Sequence, residues 1–321
     1  MEKSLVYKFL NTSSLNADVC QTEWRNGIYS SWSKRINVAL DDASVVRDKL
    51  YETFHPLVDR ALWDERFIMA IGGSGDEKKK ITTLHSSSLL ALLFFSGITA
   101  EKPLLIDRIP YNQVFFEIKN KVFPNAAVSD KPSNIDIMLV SETSENLLFI
   151  ESKFTEYFDR GKIDISEKYL NFYDRLFALI PDSRLKLEGS AIKCKGSESS
   201  QYIAGIKQMF SHIIGLATGP DASVSDEVRN YIENAKRIRV IEVAHKWDRC
   251  GVFDNYARLY SDIFRHIDNS VLSKCLEGEG CDPGKIKRIS VGKEIYTYQQ
   301  ILDQNPSFRL SETVKEFYRL T

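Results

Sequence analysis

The chain has 321 residues, of which 43% are hydrophobic and 27% are charged, and its formal net charge is −1. This balance suits one large globular domain, or a core domain with additions at its ends, and it excludes a disordered or fibrous protein. A net charge near zero excludes a strongly basic protein that coats nucleic acid, although an enzyme acting on nucleic acid needs only local positive patches.

Targeting and redox features predict a cytoplasmic protein without a membrane segment. The first residues lack a secretory apolar run, and the longest apolar run, Leu89 to Phe95, is too short to span a bilayer. The five cysteines are scattered, and the spacing of the closest pair, Cys275 and Cys281, does not suit a zinc knuckle. Reduced, unpaired thiols are therefore expected.

The first seventy residues are expected to form a mainly helical N-terminal part. Apolar residues recur at three- and four-residue steps from Asn37 to Val58. The Gly- and Lys-rich segment from Gly72 to Lys80 lacks the spacing of a phosphate-binding loop and is expected to be a solvated linker. Thr82 and Thr83 then offer an N-cap for a helix that runs to Phe95 and is apolar nearly all round, as a helix buried beside a sheet would be.

Three segments predict consecutive β-strands: Asn112 to Lys119, Asn134 to Ser141, and Asn146 to Phe154. Only four residues, Glu142 to Glu145, separate the second segment from the third. So short a turn predicts an antiparallel hairpin.

The remaining chain predicts alternating helices and strands. In order, these are a helix around Tyr169 to Leu179, a helix from Gln201 to Leu216, a strand from Arg237 to Ala244, a helix from Asp254 to His266, a hairpin around Gly292-Lys293, and two short helices.

The second and third strands carry charges inside apolar runs. Because side chains alternate along a strand, Glu151 and Lys153 point to the same face, and Asp136 interrupts the neighbouring apolar strand. Buried charges are costly unless they are paired or hold a metal. One carboxylate from each strand, with a lysine beside them, would suit a divalent cation next to a phosphate, because Mg²⁺ prefers oxygen ligands and can assist phosphoryl chemistry. The alternative is a buried salt-bridge network.

The acid-x-Lys pattern also occurs at Asp76, Glu77 and Glu117. The first two lie in the Gly- and Lys-rich loop. Glu117-Ile118-Lys119 is the stronger rival, because it ends an apolar strand and Asp107 lies upstream. Asp107 is expected in a loop, so the strand that carries Asp136 favours Glu151.

The order helix, strand, strand with Asp, strand with Glu-x-Lys, helix and strand resembles the core of the PD-(D/E)xK nuclease superfamily. The segments Asn134-Ile135-Asp136-Ile137 and Phe149-Ile150-Glu151-Ser152-Lys153-Phe154 carry the resemblance, which covers roughly residues 82 to 245. The residue before Asp136 is Ile, where the family name has Pro. Three further segments resemble a bacterial restriction-endonuclease-like branch: Leu84 to Leu89, Gln208 to His212, and Tyr296 to Leu302.

The resemblance implies an α/β protein with a restriction-endonuclease-like core, in which a central mixed β-sheet is flanked by helices. Residues 1–80 would be the helical N-terminal elaboration and Gly/Lys loop, residues 81–270 the nuclease core, and residues 271–321 a small C-terminal appendage.

The resemblance also implies roles for the residues of the two motifs. Asp136 and Glu151 would bind Mg²⁺, for which Mn²⁺ would substitute, with the backbone carbonyl of Ser152 as a further ligand. Lys153 would hold the attacking water and neutralise developing charge.

Supporting roles are implied for two more side chains. Glu117 would add an acid, or it is an edge-strand glutamate without a role. Gln208 would support the site from the following helix, or it is an ordinary helix-face amide. The histidines at 85, 212 and 245 are single residues on apolar elements and are expected to be satisfied core or helix-terminal histidines.

The implied activity is Mg²⁺-dependent hydrolysis of DNA phosphodiester bonds that leaves a 5′-phosphate, by an endonuclease of restriction or defence type that acts as a homodimer. Candidate phosphate contacts are Lys78, Lys79, Lys80, Lys193, Lys195, Arg237 and Arg239. Two alternatives stay open: a non-catalytic nucleic-acid-binding or assembly protein with the same fold, and a nuclease that acts on RNA or structured DNA. A glycosidase acid–base pair is disfavoured, because that chemistry has no use for Lys153.

Overall fold

The computed structural model of the chain describes residues 43–72, 81, 86–123, 132–154, 156–158, 163–180, 185–189, 191–194, 204–246 and 251–320. Its helices are α1 (Ala43–Phe54), α2 (Arg60–Ile71), α3 (Ser87–Phe95), α4 (Leu170–Leu179), α5 (Ala204–Thr218), α6 (Asp226–Asn234), α7 (Val252–Phe264), α8 (Asn269–Cys275), α9 (Pro283–Arg288), α10 (Tyr298–Gln304) and α11 (Glu312–Tyr318). Its strands are β1 (Leu104–Ile106), β2 (Ile109–Asn120), β3 (Ser133–Ser141), β4 (Asn146–Lys153), β5 (Ile163–Asp164), β6 (Leu185–Glu188), β7 (Ala191–Cys194), β8 (Arg237–Ala244), β9 (Ile289–Val291) and β10 (Tyr296–Thr297). Short 3₁₀ helices lie at Glu156–Phe158 and Glu167–Tyr169.

Seven strands form one mixed sheet in the order β1-β2-β3-β4-β8-β10, and β9 also pairs with β8. Strands β1 to β4 are antiparallel to one another, whereas β8 runs parallel to β4, β9 and β10. The three strands predicted between residues 112 and 154 are confirmed, as are the hairpin of β3 and β4 and the strand at β8. A separate small sheet has the order β5-β7-β6.

The hairpin predicted around Gly292-Lys293 is wrong. Strands β9 and β10 both run parallel to β8, with Val291 opposite Val240 and Tyr296 opposite Val243, so the chain follows one edge without reversing. Gly292 does not form a turn but allows its own strand segment to approach β8 closely. Its amide donates to the Val240 carbonyl at 2.7 Å, and a Cβ built on Gly292 would lie 2.9 Å from the side chain of Ile241.

Helices cover both faces of the sheet. Successive residues of β4 point in opposite directions: the Ser152 hydroxyl donates to the Ser87 carbonyl of α3, and the Lys153 ammonium donates to Gln208 of α5. Helices α3 and α5 therefore lie on opposite faces. The prediction of a buried helix ending at Phe95 is confirmed, because every residue from Leu89 to Phe95 is buried. Ser86 caps its start by accepting from the Leu89 amide, whereas Thr82 and Thr83 lie outside the described residues.

The chain segments on either side of the central core pack onto it and onto each other. Helices α1 and α2 agree with the helical prediction over residues 43–72, whereas residues 1–42 and the predicted linker from 73 to 80 lie outside the described residues. The last helix, α11, reaches α1, where the rings of Phe54 and Phe317 meet edge-on with centroids 5.1 Å apart. Residues 271–321 also supply β9 and β10 to the central sheet. In the part of the chain described above, no helix combines the length and apolarity needed to cross a bilayer.

The outer strand β1 is capped by a side chain. Leu105 lies opposite Pro110, which has no amide hydrogen to donate, so the backbone groups of Leu105 face away from β2. Asn305, which follows α10, accepts from the Leu105 amide at 2.7 Å and donates to its carbonyl at 2.8 Å. A side-chain amide thus takes the position of a further strand.

Candidate functional site

Four ionisable side chains meet on the sheet face that α5 covers. The β3–β4 register pairs Ile137 with Ile150, which places Asp136 across from Glu151 as the two strands diverge. Glu151 is itself in register with Glu242 of β8, and Lys153 follows two residues later on the same face. The structure therefore brings together the three residues that the sequence predicted and adds a third acid.

Asp136 is half-buried and is held by a backbone amide. Its Oδ2 accepts from the Ser152 amide at 2.7 Å, just beyond the end of the regular β3–β4 ladder. Burial and the nearby charge of Glu151 raise the pKa of Asp136 well above its usual range, against the opposing effect of Lys153. Burial and the neighbouring anion therefore favour the neutral form of this carboxyl group.

Glu151 is enclosed, with only 2% of its surface exposed, and both of its carboxylate oxygens are engaged. Lys153 Nζ donates to Oε1 at 2.5 Å, and His212 Nε2 lies 2.7 Å from Oε2. Burial alone would raise the pKa of Glu151, but Lys153 and His212 lower it to about 2. Glu151 is thus an anion near neutral pH.

Lys153 is a buried ammonium, 3% exposed, with a second partner in Gln208 Oε1 at 2.7 Å. Burial favours its neutral form, but the charges of Glu151, Glu156 and Asp136 keep its pKa above the usual range. Lys153 therefore acts as a fixed positive charge and hydrogen-bond donor, not as a base. Gln208 is solvent-exposed, so its amide stands between the ammonium and the surface.

Glu242 is the acid that the sequence reasoning missed. It is 0% exposed, its Oε2 accepts from the Tyr256 hydroxyl at 2.8 Å, and its Oε1 has no hydrogen-bond partner among the described residues. Gly205 of α5 makes room for this pair, since a Cβ there would collide with the Tyr256 hydroxyl. Burial raises the pKa of Glu242 to about 8, although Lys153 and Tyr256 draw it down. The sequence pattern that could have identified Glu242 is a single acid inside an apolar strand, which is the pattern that identified Glu151.

We expect Glu242→Gln to flatten the pH dependence of folding stability. The folded protein keeps a proton on Glu242 up to about pH 8, whereas an unfolded Glu, with its pKa near 4.5, has already released it. Stability is therefore lost as the pH rises through this window, by about 2–3 kcal/mol between pH 5.5 and 8.5. Glutamine cannot ionise, so urea unfolding in EDTA should show a smaller loss for Glu242→Gln. The exposed Glu145→Gln serves as the control, and equal pH profiles for the wild type and Glu242→Gln would rule out this role of burial.

Ser152 presents only its backbone to the acids. Its side chain lies on the opposite face, with its Oγ 2.6 Å from the Tyr298 hydroxyl and 3.2 Å from the Ser87 carbonyl oxygen. Its amide is bound to Asp136. The carbonyl of Ser152 remains a predicted ligand.

Glu117 on β2 lies opposite Asp136 on the neighbouring strand β3, because Phe116 pairs with Ile137 and Ile118 pairs with Ile135. Its φ of 56° is left-handed, a conformation that costs about 1–2 kcal/mol for a residue with a side chain. The Asn134 amide donates to its carboxylate. This local irregularity turns Glu117 out of the regular strand pattern, and its role as an added acid remains a prediction.

The rival acid-x-Lys set is not assembled. Lys119 Nζ donates to the Gly72 carbonyl at 3.0 Å. Asp107 lies in the β1–β2 turn, where it pairs with Arg239 and accepts from the Tyr296 hydroxyl at 2.9 Å. Asp107 precedes Glu117 by ten residues of nearly extended chain, so the two acids are roughly 30 Å apart at about 3.3 Å per residue.

Among the predicted phosphate contacts, the side chains that the structure describes are those of Arg237 and Arg239, and neither lies at the acids. Arg239 forms an ion pair with Asp107, and its guanidinium also donates to the Tyr296 hydroxyl at 2.9 Å. The exposed Arg237 starts β8, roughly 16 Å along the strand from Glu242. Lys193 belongs to the small sheet, in β7, while Lys78, Lys79, Lys80 and Lys195 lie outside the described residues. Their roles stay predictions.

Of the three histidines considered in the sequence, His212 and His245 lie among the described residues, and both are buried, as expected for core histidines. Their partners differ. His245 projects onto the other face of β8, where its ring meets Phe154 edge-on and its Nε2 contacts the Tyr318 carbonyl. His212, by contrast, is satisfied by Glu151, a carboxylate of the site. His85 lies outside the described residues.

The donor set suits a cation held by few side chains. Within the described ranges, no group of three or more His, Cys, Asp or Glu side chains is placed to hold a metal ion. Mg²⁺ keeps several of its waters and needs only one or two carboxylates, so Asp136 and Glu151 fit it in kind and number. At Glu151 the cation would compete with Lys153 and His212 for the two oxygens.

Comparisons of this chain with family models, curated proteins and solved structures found no match.

Proposed function

We propose that this protein is a metal-dependent nuclease that hydrolyses phosphodiester bonds of DNA, with Asp136, Glu151 and Lys153 as its active site. The observation that carries the proposal is their convergence: two carboxylates from neighbouring strands and one buried ammonium meet at the same end of the sheet. Placing three charges in an apolar sheet is costly, and a phosphoryl-transfer site gives each of them a use.

The chain topology supports a restriction-endonuclease-like core as part of this proposal. Helix α3 precedes the antiparallel strands β2, β3 and β4, helix α5 follows, and β8 returns parallel to β4. Asp136 lies on the second of these strands and the Glu-x-Lys pair on the third. This is the order on which the resemblance to PD-(D/E)xK nucleases rests.

Each residue has a distinct task in the proposed reaction. Asp136 and Glu151 would hold Mg²⁺, which would supply an activated water and stabilise charge on the phosphoryl group. Lys153 keeps its proton, so it would donate to an oxygen that gains negative charge during the displacement. Gln208 holds the lysine from the solvent side and so fixes where its charge lies.

One observation favours the alternative of a non-catalytic nucleic-acid-binding or assembly protein. Both oxygens of Glu151 are already bonded to Lys153 and His212, and the trio is almost fully buried. A purely structural ion network would look the same. The two possibilities differ in what a divalent cation does to the protein.

Plasmid DNA provides the test. Purified protein should cut it with Mg²⁺, should not cut it with EDTA, and should lose the activity in Glu151→Gln. Ends that a ligase can reseal without prior phosphorylation would establish a 5′-phosphate product.

RNA and single-stranded DNA are assayed in parallel. Cutting of these substrates alone would move the proposal to a different nucleic acid. Metal-independent DNA binding without turnover of any substrate would favour the non-catalytic alternative.

A further inference from the structure

Both ring nitrogens of His212 lie within hydrogen-bonding distance of side chains in the interface between α5 and the sheet. Its Nε2 lies 2.7 Å from Glu151 Oε2, and its Nδ1 lies 2.7 Å from the hydroxyl oxygen of Ser133. Only 3% of the residue is exposed. Because an ionised carboxylate can only accept, Nε2 carries the hydrogen of the bond to Glu151. The ring can therefore neither turn nor reach a substrate.

The same helix supports both members of the Glu-x-Lys pair. Gln208 and His212 are four residues apart on α5 and so lie on one face of it. Gln208 binds Lys153, and His212 binds Glu151. The carboxylate of Glu151 is thus held at one oxygen by its own strand and at the other by the helix.

A glycine on α5 allows the helix to approach the sheet closely enough for the contact between His212 and Ser133. Gly215, three residues after His212, faces the ends of β2 and β3. A Cβ built on it would lie 2.9 Å from the Cβ of Asn120 and 3.1 Å from the Cβ of Ser133. A larger residue would push the helix outwards, away from the strand that carries Ser133. The glycine therefore keeps Ser133 within reach of the His212 ring.

We propose that His212, anchored by Ser133, is a positioning residue that fixes the Glu151 carboxylate for divalent-cation binding. The inference rests on the proposed function, because it assigns the cation to Glu151. His212 holds Oε2 in place, so that the exchange of Lys153 for the cation at Oε1 does not require the carboxylate to reorient. Hydrogen bonds that orient a metal-binding side chain typically contribute 10- to 100-fold in affinity or activity.

Mn²⁺ binding, measured by calorimetry on the full chain, tests this role without relying on cleavage. We expect His212→Leu to weaken Mn²⁺ binding by roughly 10- to 100-fold. His212→Gln, whose amide can still donate to Glu151, should recover most of the loss. Ser133→Ala removes only the anchor of the ring and should cause a smaller loss in the same direction.

His245→Gln is the matched control, because it replaces a buried histidine on the opposite face of the sheet. It should leave Mn²⁺ affinity unchanged, which separates positioning from a general loss of stability. Thermal unfolding of each variant in EDTA reports whether it is folded. If His212→Leu does not fold, the loss expected in Ser133→Ala carries the test.

The outcomes separate this inference from the proposed function. Wild-type binding that Glu151→Gln abolishes and His212→Leu weakens supports both. Equal Mn²⁺ affinity in the wild type, in Ser133→Ala and, where it folds, in His212→Leu would overturn the positioning role and leave the nuclease proposal intact. No Mn²⁺ binding by the wild type would overturn the metal site itself, and the positioning role with it.

Discussion

Replacing Lys153 with methionine is expected to slow DNA cleavage by about 10²–10³-fold while Mn²⁺ binding becomes tighter. The two effects have one cause. In the metal-free protein the ammonium occupies Glu151 Oε1, so it competes with a cation for that oxygen. Methionine has a similar length and no charge, so it removes both the competitor and the donor that would stabilise the reacting phosphoryl group.

The two quantities are measured separately, cleavage with Mg²⁺ and affinity by calorimetry with Mn²⁺. Lys119→Met is the matched control, because Lys119 also ends an acid-x-Lys segment but bonds to the Gly72 carbonyl. It should change neither quantity. Wild-type cleavage by Lys153→Met would remove the lysine from the mechanism, and weaker Mn²⁺ binding would show that it does not compete for Glu151.

The Glu151–Lys153 pair should also show strong energetic coupling in folding. Removing one member leaves the other as an uncompensated buried charge, which destabilises a protein by about 3–5 kcal/mol. We therefore expect Glu151→Gln and Lys153→Met each to lower the free energy of unfolding by about that amount. The double variant should recover much of the loss, because it leaves no unpaired charge of this pair.

A double-mutant cycle of urea unfolding in EDTA measures the coupling. The exposed pair of Lys236 and Glu145 provides the comparison, because solvent screens it and its coupling should stay below about 1 kcal/mol. If the losses at Glu151 and Lys153 simply added, the two charges would be independently solvated, and the buried pairing would be refuted.

Local patterns made the two strands of the candidate site predictable. Alternation along residues 146–153 predicts which side chains share a face, and a four-residue connection predicts the hairpin that brings Asp136 to Glu151. Both features depend on neighbours within about twenty residues of one another. The strand that carries Glu242 was also predictable, from its run of apolar residues.

The supporting contacts were not predictable, because they depend on distant pairing. His212 lies 61 residues from Glu151, and its bond requires both the register of β4 and the close approach of α5. Glu242 faces Glu151 only through the parallel pairing of β4 with β8. The error at Gly292 has a related cause. A glycine beside a lysine is typical of a turn, whereas here the missing side chain leaves room for the side chain of Ile241 on the neighbouring strand β8.

The amide cap on Leu105 has a consequence for how this protein can assemble. An open outer strand invites another chain to add itself to the sheet, and such edges often lead to aggregation. Here the only outward-facing backbone groups of the three-residue β1 are already bound to Asn305. Sheet growth is blocked at this edge, so two copies of the chain cannot join through a continuous sheet that runs across β1.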